Sequence, residues 1–266
     1  MSAGATSGPA AVVGHRLVQP RQSLITGTGW LALFTAAVAV WVATELRVGG
    51  RGWLPWLACA LPLAAAGALC LARRRATSLA PAAVFANGAV TGAYAVQILE
   101  GRKAVALAAC VFLLVCAGLT IVLAAVVTAA ALSVLGTVSR RRAATWAAAA
   151  LVFAAVSIPS PVYFPGGPVQ TIFAGNTAGG NAAAVCNLVL LALPLVMAGL
   201  ASARIATVIA IAWLPAAAAQ PLGWYLNLDN VLHLDVWYYL SWLVWLAIAA
   251  VALTEARNWR SGDRPS

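Results

Sequence analysis

The chain has 266 residues, of which 63% are hydrophobic and 8% are charged, and its formal net charge is +10. Soluble globular proteins carry about 25% charged residues because their surfaces face water, so this composition excludes a soluble domain. The positive charge is dispersed between apolar runs, which excludes a folded nucleic-acid-binding face and favours the lipid bilayer as the partner.

Eight apolar runs follow one another along the chain, each close to membrane length or longer. A hydrocarbon core of about 30 Å requires roughly 20 helical residues, and the continuous runs lack the alternation of barrel strands. We therefore expect an all-α, polytopic transmembrane helical bundle of about eight spans. The predicted spans are residues 24–46, 53–72, 79–99, 104–138, 143–158, 182–201, 205–224 and 236–254. Residues 24–254 form one integral membrane domain between two flexible cytoplasmic tails, 1–23 and 255–266.

The distribution of arginine predicts the orientation of this bundle. If the N-terminus is cytoplasmic, the arginines of both tails and those at 73–75, 140–142 and 204 all fall on the cytoplasmic side. The opposite side receives only Arg47, Arg51, Arg102 and Lys103. This asymmetry agrees with the positive-inside rule, so both termini are predicted to be cytoplasmic. The abundance of Arg, Ala, Gly and Pro is typical of a GC-rich genome, and we expect a bacterial cytoplasmic (inner) membrane.

The third predicted span contains Gly88 and Gly92, four residues apart. Small residues at this spacing let two helix backbones approach closely, so the pair indicates a helix contact. The contact is either internal or with a second copy of the chain, and internal packing is the default expectation within an eight-span bundle.

The fourth predicted span, 104–138, is longer than the bilayer is thick. A hairpin of two short spans would move the arginines at 140–142 to the outside and remove the charge asymmetry. We therefore expect one long helix that tilts or extends beyond the headgroups.

The loop at 159–181 has no charge, with prolines in its first half and glycines in its second. The prolines prevent a regular helix there, and Asn181 is predicted to be the N-cap of the sixth span. The loop either covers the outer face of the bundle, which we expect, or re-enters the membrane where protein or water satisfies its backbone.

Prolines and neutral amides within the spans are candidates for lining a cavity. A proline inside a helix kinks it and frees a carbonyl four residues earlier, and an amide can bind a solute or simply bond to a neighbouring helix. The candidate residues are Asn87, Gln97, Asn187, Pro194, Pro215 and Gln220. Intramembrane carboxylates, which proton-driven carriers use, are missing from the predicted spans apart from their ends.

A second candidate site lies in the last outer loop, at Asp229, His233 and Asp235. If this segment forms a helical turn, Asp229 and His233 share one face at a spacing of four residues. The alternative is a solvated connector, which we favour. No catalytic residue, metal site or cofactor is predicted, because the cysteines lie inside apolar runs and phosphate-binding or zinc-binding motifs do not occur.

The sequence offers little support for duplicated halves, because the short connection at 47–52 has no match in the long loop at 159–181. The leading hypothesis is a non-catalytic multi-pass protein, either an accessory subunit with a membrane protein partner or second copy, or a small-solute permease. The other hypothesis is a membrane-embedded enzyme acting on a lipid or lipid-linked substrate at the outer interface.

Overall fold

The computed structural model describes residues 20–45, 54–72, 79–99, 104–132, 139–158, 162–163, 178–226, 233–234 and 236–262. Eight α-helices occupy almost all of these residues: α1 Pro20–Glu45, α2 Leu54–Leu71, α3 Ala80–Leu99, α4 Ala104–Leu132, α5 Arg140–Ser157, α6 Ala178–Leu200, α7 Ala203–Leu226 and α8 Val236–Gly262. Two short strands, β1 Val162–Tyr163 and β2 His233–Leu234, pair in antiparallel orientation. The chain is therefore all-α apart from one short ribbon, and each helix coincides with one predicted span.

Three helices, α1, α6 and α8, extend four or more residues beyond their predicted bounds. α6 begins at Ala178, so Asn181 lies inside the helix, and its prediction as an N-cap is wrong. α1 begins at Pro20, a residue that the first turn of a helix accepts because no backbone donor is needed there. α8 continues to Gly262, so residues 255–262 are helical and only the rest of the predicted C-terminal tail lies outside the described residues.

The fourth span is one continuous helix, α4, over Ala104–Leu132. The prediction of a single helix rather than a hairpin is confirmed over these residues, and 133–138 lie outside the described part of the chain. Ala, Leu and Val dominate α4, and a helix of such residues satisfies its backbone hydrogen bonds internally.

Four helices are long and apolar enough to cross a membrane, counted over the described residues only: α1, α4, α6 and α8. Shorter apolar stretches lie in α2 and α7. The outward surface is itself apolar. Along α4 the exposed large side chains are Leu107, Val111, Phe112, Val115, Leu119, Val122 and Val126. A continuous apolar face of this length is unusual on a soluble monomer, and the fold is compatible with a helical membrane bundle.

The helices form two rings of four with the same order of packing. In the first half, α1 packs against α2 and α4, and α3 packs against the same two helices. In the second half, α5 packs against α6 and α8, and α7 packs against the same two helices. Each half has its own buried apolar cluster, although the second cluster extends onto α2 and α3.

The two halves meet through α2 and α3 on one side and α6 and α7 on the other. The contacting pairs are α3 with α7, α3 with α6, and α2 with α7. In the order of packing, α2 corresponds to α6 and α3 corresponds to α7. If corresponding helices exchange places, the α3–α6 contact becomes the α7–α2 contact, and the α3–α7 contact stays the same. The interface therefore has the contact pattern of a pseudo-two-fold arrangement, which the sequence analysis did not predict.

α3 occupies the centre of the bundle, because it contacts α1, α2, α4, α6 and α7. Every side chain from 84 to 96 is buried. This enclosure explains how α3 tolerates Asn87 and Thr91, since neighbouring helices rather than lipid surround them.

Candidate functional site

The outer candidate site is only partly described. His233 lies in β2, opposite Tyr163 of β1, so the backbone at His233 is extended. The helical turn that would have placed His233 and Asp229 on one face is therefore not formed at His233. Asp229, Asp235 and the side chain of His233 lie outside the described residues.

The amide of Asn187 lies at the interface between the two halves. Its Nδ2 donates a hydrogen bond of 3.2 Å to the carbonyl oxygen of Ala93, which joins α6 to α3. The side chain is half-buried. Asn187 therefore bridges the two halves through a neutral polar contact.

Asn87 lies on α3 and is buried, with 2% of its surface exposed. Its Nδ2 donates to the carbonyl oxygen of Ala83 at 3.1 Å, one turn earlier on the same helix. Its Oδ1 accepts no hydrogen bond from the described residues. A buried carbonyl oxygen without a donor costs free energy, so this atom is an acceptor available to a ligand or a water molecule.

The face of α3 that carries Asn87 continues with Thr91 and Tyr94, at spacings of four and three residues. Thr91 Oγ1 donates to the carbonyl oxygen of Asn87 at 2.8 Å. Tyr94 is buried in the apolar cluster that also contains Trp213 of α7. Of these three side chains, Tyr94 is therefore the one that belongs to the cluster shared with the second half.

The other cavity candidates are placed less centrally or lie outside the description. Pro194 is buried inside α6, whereas Pro215 of α7 is exposed. Gln97 and Gln220 lie on α3 and α7, but their side chains are not among the described ones. Of the six candidates, Asn87, Asn187 and Pro194 are thus the ones with described side chains inside the bundle.

Gly88 and Gly92 face neighbouring helices of the same chain. A Cβ atom at Gly88 would lie 3.4 Å from Ile121 of α4, and one at Gly92 would lie 3.5 Å from Leu190 of α6. Both distances are those of packed atoms rather than of severe overlap. The two glycines therefore lie where α3 meets α4 and α6.

The tightest helix crossing involves glycines that the sequence analysis did not select. A Cβ atom at Gly67 of α2 would lie 2.9 Å from the carbonyl oxygen of Gly29 and 3.0 Å from Cβ of Ala32, both in α1. At Gly199 of α6 it would lie 3.0 Å from Cβ of Trp146 and 3.4 Å from the carbonyl oxygen of Ala143, both in α5. In each half, the glycine of the second helix thus lies against two atoms of the first helix. These are a carbonyl oxygen and the Cβ of the residue three positions after it.

These two crossings lie in matching sequence segments. Residues 60–67 read ALPLAAAG and residues 192–199 read ALPLVMAG, so each glycine follows a proline by five residues. The prolines are Pro62 of α2 and Pro194 of α6, the second helix of each half. The repeated segment lies on the second helix of each half, at the same place in the packing order, whereas the loops at 47–52 and 159–181 show no such match.

An ion pair joins the ends of α5 and α8. Nε of Arg142 lies 3.0 Å from both Oε1 and Oε2 of Glu255, and its Nη1 donates to the carbonyl oxygen of Ala201 at 3.3 Å. Glu255 is buried, with 7% of its surface exposed. Glu255 was predicted to lie in the C-terminal tail, because the apolar run ends at residue 254. No neighbouring residue in the sequence indicates that Arg142 is its partner.

The described residues hold no cluster of three His, Cys, Asp or Glu side chains that could bind a metal ion. No protein-family model, curated protein or solved structure matches the chain. The arrangement that remains as a candidate site is the interface between the halves, with neutral amides on α3 and α6.

Proposed function

We propose that the protein is a permease of a bacterial cytoplasmic membrane, which moves a small neutral polar solute between its two four-helix halves. In this proposal all eight helices cross the bilayer and both termini are cytoplasmic. The observation that carries it is the interface of α2 and α3 with α6 and α7, whose contacts interconvert when the halves are exchanged. Many transporters are built from repeated halves, with the substrate site at the repeat interface.

The placement of charge supports the orientation. The charged residues with described side chains are Arg140, Arg141, Arg142, Arg204, Glu255 and Arg257. They lie at the beginnings of α5 and α7 and near the end of α8, which an alternating bundle brings to one side. An excess of arginine on one side is typical of the cytoplasmic face.

The chemistry of the interface supports a neutral solute. Asn87, on the α3 helix that packs against α6 and α7, has a buried carbonyl oxygen that accepts no hydrogen bond from the described residues. Asn187 donates a 3.2 Å hydrogen bond across the halves. The buried acid among the described side chains, Glu255, is at the end of the bundle and paired with Arg142. The interface therefore favours hydrogen bonding to hydroxyl or amide groups over binding of a charged ion.

The test is uptake of radiolabelled polyols, sugars and small amides by vesicles containing the purified protein. Replacing Asn87 by Leu removes the acceptor but keeps the number and branching of the side-chain heavy atoms, and the hydrogen bond that is lost lies within α3 itself. We expect thermal stability close to that of the original protein and uptake reduced about tenfold, the effect of one hydrogen bond worth near 1.4 kcal/mol.

The matched control is Thr35→Val. Thr35 is buried and its hydroxyl lies 2.8 Å from that of Thr120, so this polar contact joins α1 to α4 within one half. We expect T35V to retain uptake. Uptake by N87L equal to that of T35V, or no uptake above that of empty vesicles for any solute, would contradict the proposal.

The subunit and enzyme hypotheses predict other outcomes in the same preparation. A subunit would co-purify with a second membrane protein and show no uptake by itself. An enzyme at the outer interface would lose activity on a lipid-linked substrate when His233 is replaced by Ala.

A further inference from the structure

α6 contains a proline past its middle, and its backbone hydrogen bonding is incomplete there. Pro194 has no N–H group, so the carbonyl oxygen of Leu190 has no helical donor. The next carbonyl oxygen, that of Leu191, accepts a hydrogen bond of 2.9 Å from Nε1 of Trp213 in α7. Sharp bends in helices occur at prolines, so residues 190–194 are where α6 is easiest to bend.

The segment of α6 after Pro194 is held closely against α5. A Cβ atom at Gly199 would lie 3.0 Å from Cβ of Trp146, so the two helices are in tight contact there. Nη1 of Arg142 also donates to the carbonyl oxygen of Ala201, just beyond the end of α6, at 3.3 Å. This end of α6 therefore has little room to move relative to α5.

The segment before the proline is less enclosed. Leu191 is the one buried residue between 181 and 193, whereas four of the seven residues from 194 to 200 are buried. A Cβ atom at Gly92 of α3 would lie 3.5 Å from Cδ1 of Leu190, which is the far end of a flexible side chain. The packing of this segment therefore opposes its displacement less than the packing of the other segment does.

Two hydrogen bonds join this segment to other helices. Nδ2 of Asn187 donates to the carbonyl oxygen of Ala93 in α3, at 3.2 Å and across the two halves, and Trp213 donates to Leu191 from α7. The indole of Trp213 is fully buried, so leaving its N–H without an acceptor would cost free energy. Both hydrogen bonds therefore favour the position that the segment has in this structure.

We propose that residues 178–193 form a gate, hinged at Pro194, at the end of the interface between the halves that is far from Arg142. The gate is closed in this structure, because Asn187 joins it to α3 of the other half. When the hydrogen bonds of Asn187 and Trp213 break, the segment moves away from α3 while the rest of α6 stays on α5. The inference rests on the proposed function for what passes through the opening, whereas the movement itself is measured without a solute.

The test measures the distance between two spin labels by double electron–electron resonance, on the full-length purified protein in detergent. One label is on Cys186, the exposed one among the five cysteines, which lies in the gate. The other is on a cysteine introduced by Val115→Cys, at an exposed position of α4 in the first half. We expect one predominant distance when no other residue is changed.

Trp213→Phe removes the indole donor but keeps an aromatic ring beside Phe153, whose ring centroid lies 5.2 Å away. We expect a second distance, with its population relative to the first raised about fivefold, the effect of a hydrogen bond worth about 1 kcal/mol. Asn187→Leu should act in the same direction. Pro194→Ala restores a donor for the carbonyl oxygen of Leu190, so in the W213F protein it should return the distances toward the original ones.

The matched control is Thr207→Val, which removes another buried donor of α7. The hydroxyl of Thr207 donates to the carbonyl oxygen of Ala203 at 2.8 Å, within α7 itself. We expect T207V to leave the distances unchanged. Equal distances in W213F, N187L and T207V would overturn the proposal, and so would a W213F protein in which P194A has no effect.

If W213F does not fold, the comparison of N187L with T207V decides in the same way. The failure of the gate and the failure of the permease are distinguishable. The expected distances in a protein without uptake would support the gate and contradict the permease, and unchanged distances in a protein with uptake would overturn the gate alone.

Discussion

Arg142 and Glu255 lie 113 residues apart in the sequence and form an ion pair, with 3.0 Å between Nε and each carboxylate oxygen. Both side chains are largely buried, so each charge has lost most of its hydration. The opposite charge of the partner compensates for this loss. Removing one partner of a buried pair leaves the other charge uncompensated, which costs more than the pair itself contributes.

We therefore expect Glu255→Gln to destabilise the protein by about 3 kcal/mol, and Arg142→Gln by a similar amount. The measurement is thermal unfolding in detergent, followed by tryptophan fluorescence. The double variant should be less destabilised than the sum of the two single variants, because it leaves no unpaired charge. Additive losses, or an E255Q protein as stable as the original, would show that the pair contributes no coupling.

At the residue scale, the sequence identified the type of polar group but not its partners. Asn87 and Asn187 were selected because amides within apolar runs are rare, and both have their described side chains within the bundle. That Asn187 bonds to Ala93, or that Glu255 bonds to Arg142, depends on how distant helices pack. Hydropathy along the chain carries no information about such pairs.

At the element scale, small residues determine how closely the helices approach. α1 and α2 cross where Gly29 and Gly67 face each other, and a side chain on either glycine would meet the backbone of the other helix. Backbone cannot move aside as a flexible side chain can. The crossing thus depends on the absence of a Cβ atom at both positions.

Gly67→Ala should destabilise the protein by about 1–3 kcal/mol, the usual cost of overpacking. The matched control is Gly118→Ala in α4, because a Cβ atom there meets nothing within 4 Å. G118A should be neutral or slightly stabilising, since Ala favours a helix more than Gly does. Equal unfolding midpoints for G67A and G118A would contradict the close approach of α1 and α2.

The existence of the helices could be predicted, but some of their ends could not. Each of the eight runs contains a helix because uninterrupted apolar sequence is a strong signal. The end of α8 extends beyond its run since tertiary contacts, such as that of Glu255, continue past the apolar residues. The β1–β2 ribbon was not predicted, because its two strands are short and distant in sequence.

At the scale of the whole molecule, the chain consists of two four-helix rings that meet through matching helices. The shared packing order of the halves was not predicted, because the matching segments cover only residues 60–67 and 192–199. What the halves share is a packing order and a crossing geometry, which many different apolar sequences can produce.

The proposed orientation predicts the behaviour of reporter fusions. Alkaline phosphatase, which is active only outside the cytoplasm, should be inactive when fused after Arg74 or Arg141 and active when fused after Arg102. The reason is the excess of arginine expected on the cytoplasmic side. Alkaline phosphatase activity at Arg141 would contradict this orientation. It would indicate that the second half is inverted or that one helix before it does not cross the membrane.

The central position of α3 has a consequence for biosynthesis. Ribosomes synthesise helices in order, so α3 emerges before α4, α6 and α7, three of the helices that enclose it. Until the last of these arrives, the amide of Asn87 lacks its native surroundings, and a polar group facing hydrocarbon is costly. The enclosure of α3 is therefore complete only after α7 has been synthesised, so Asn87 reaches its buried environment late in translation.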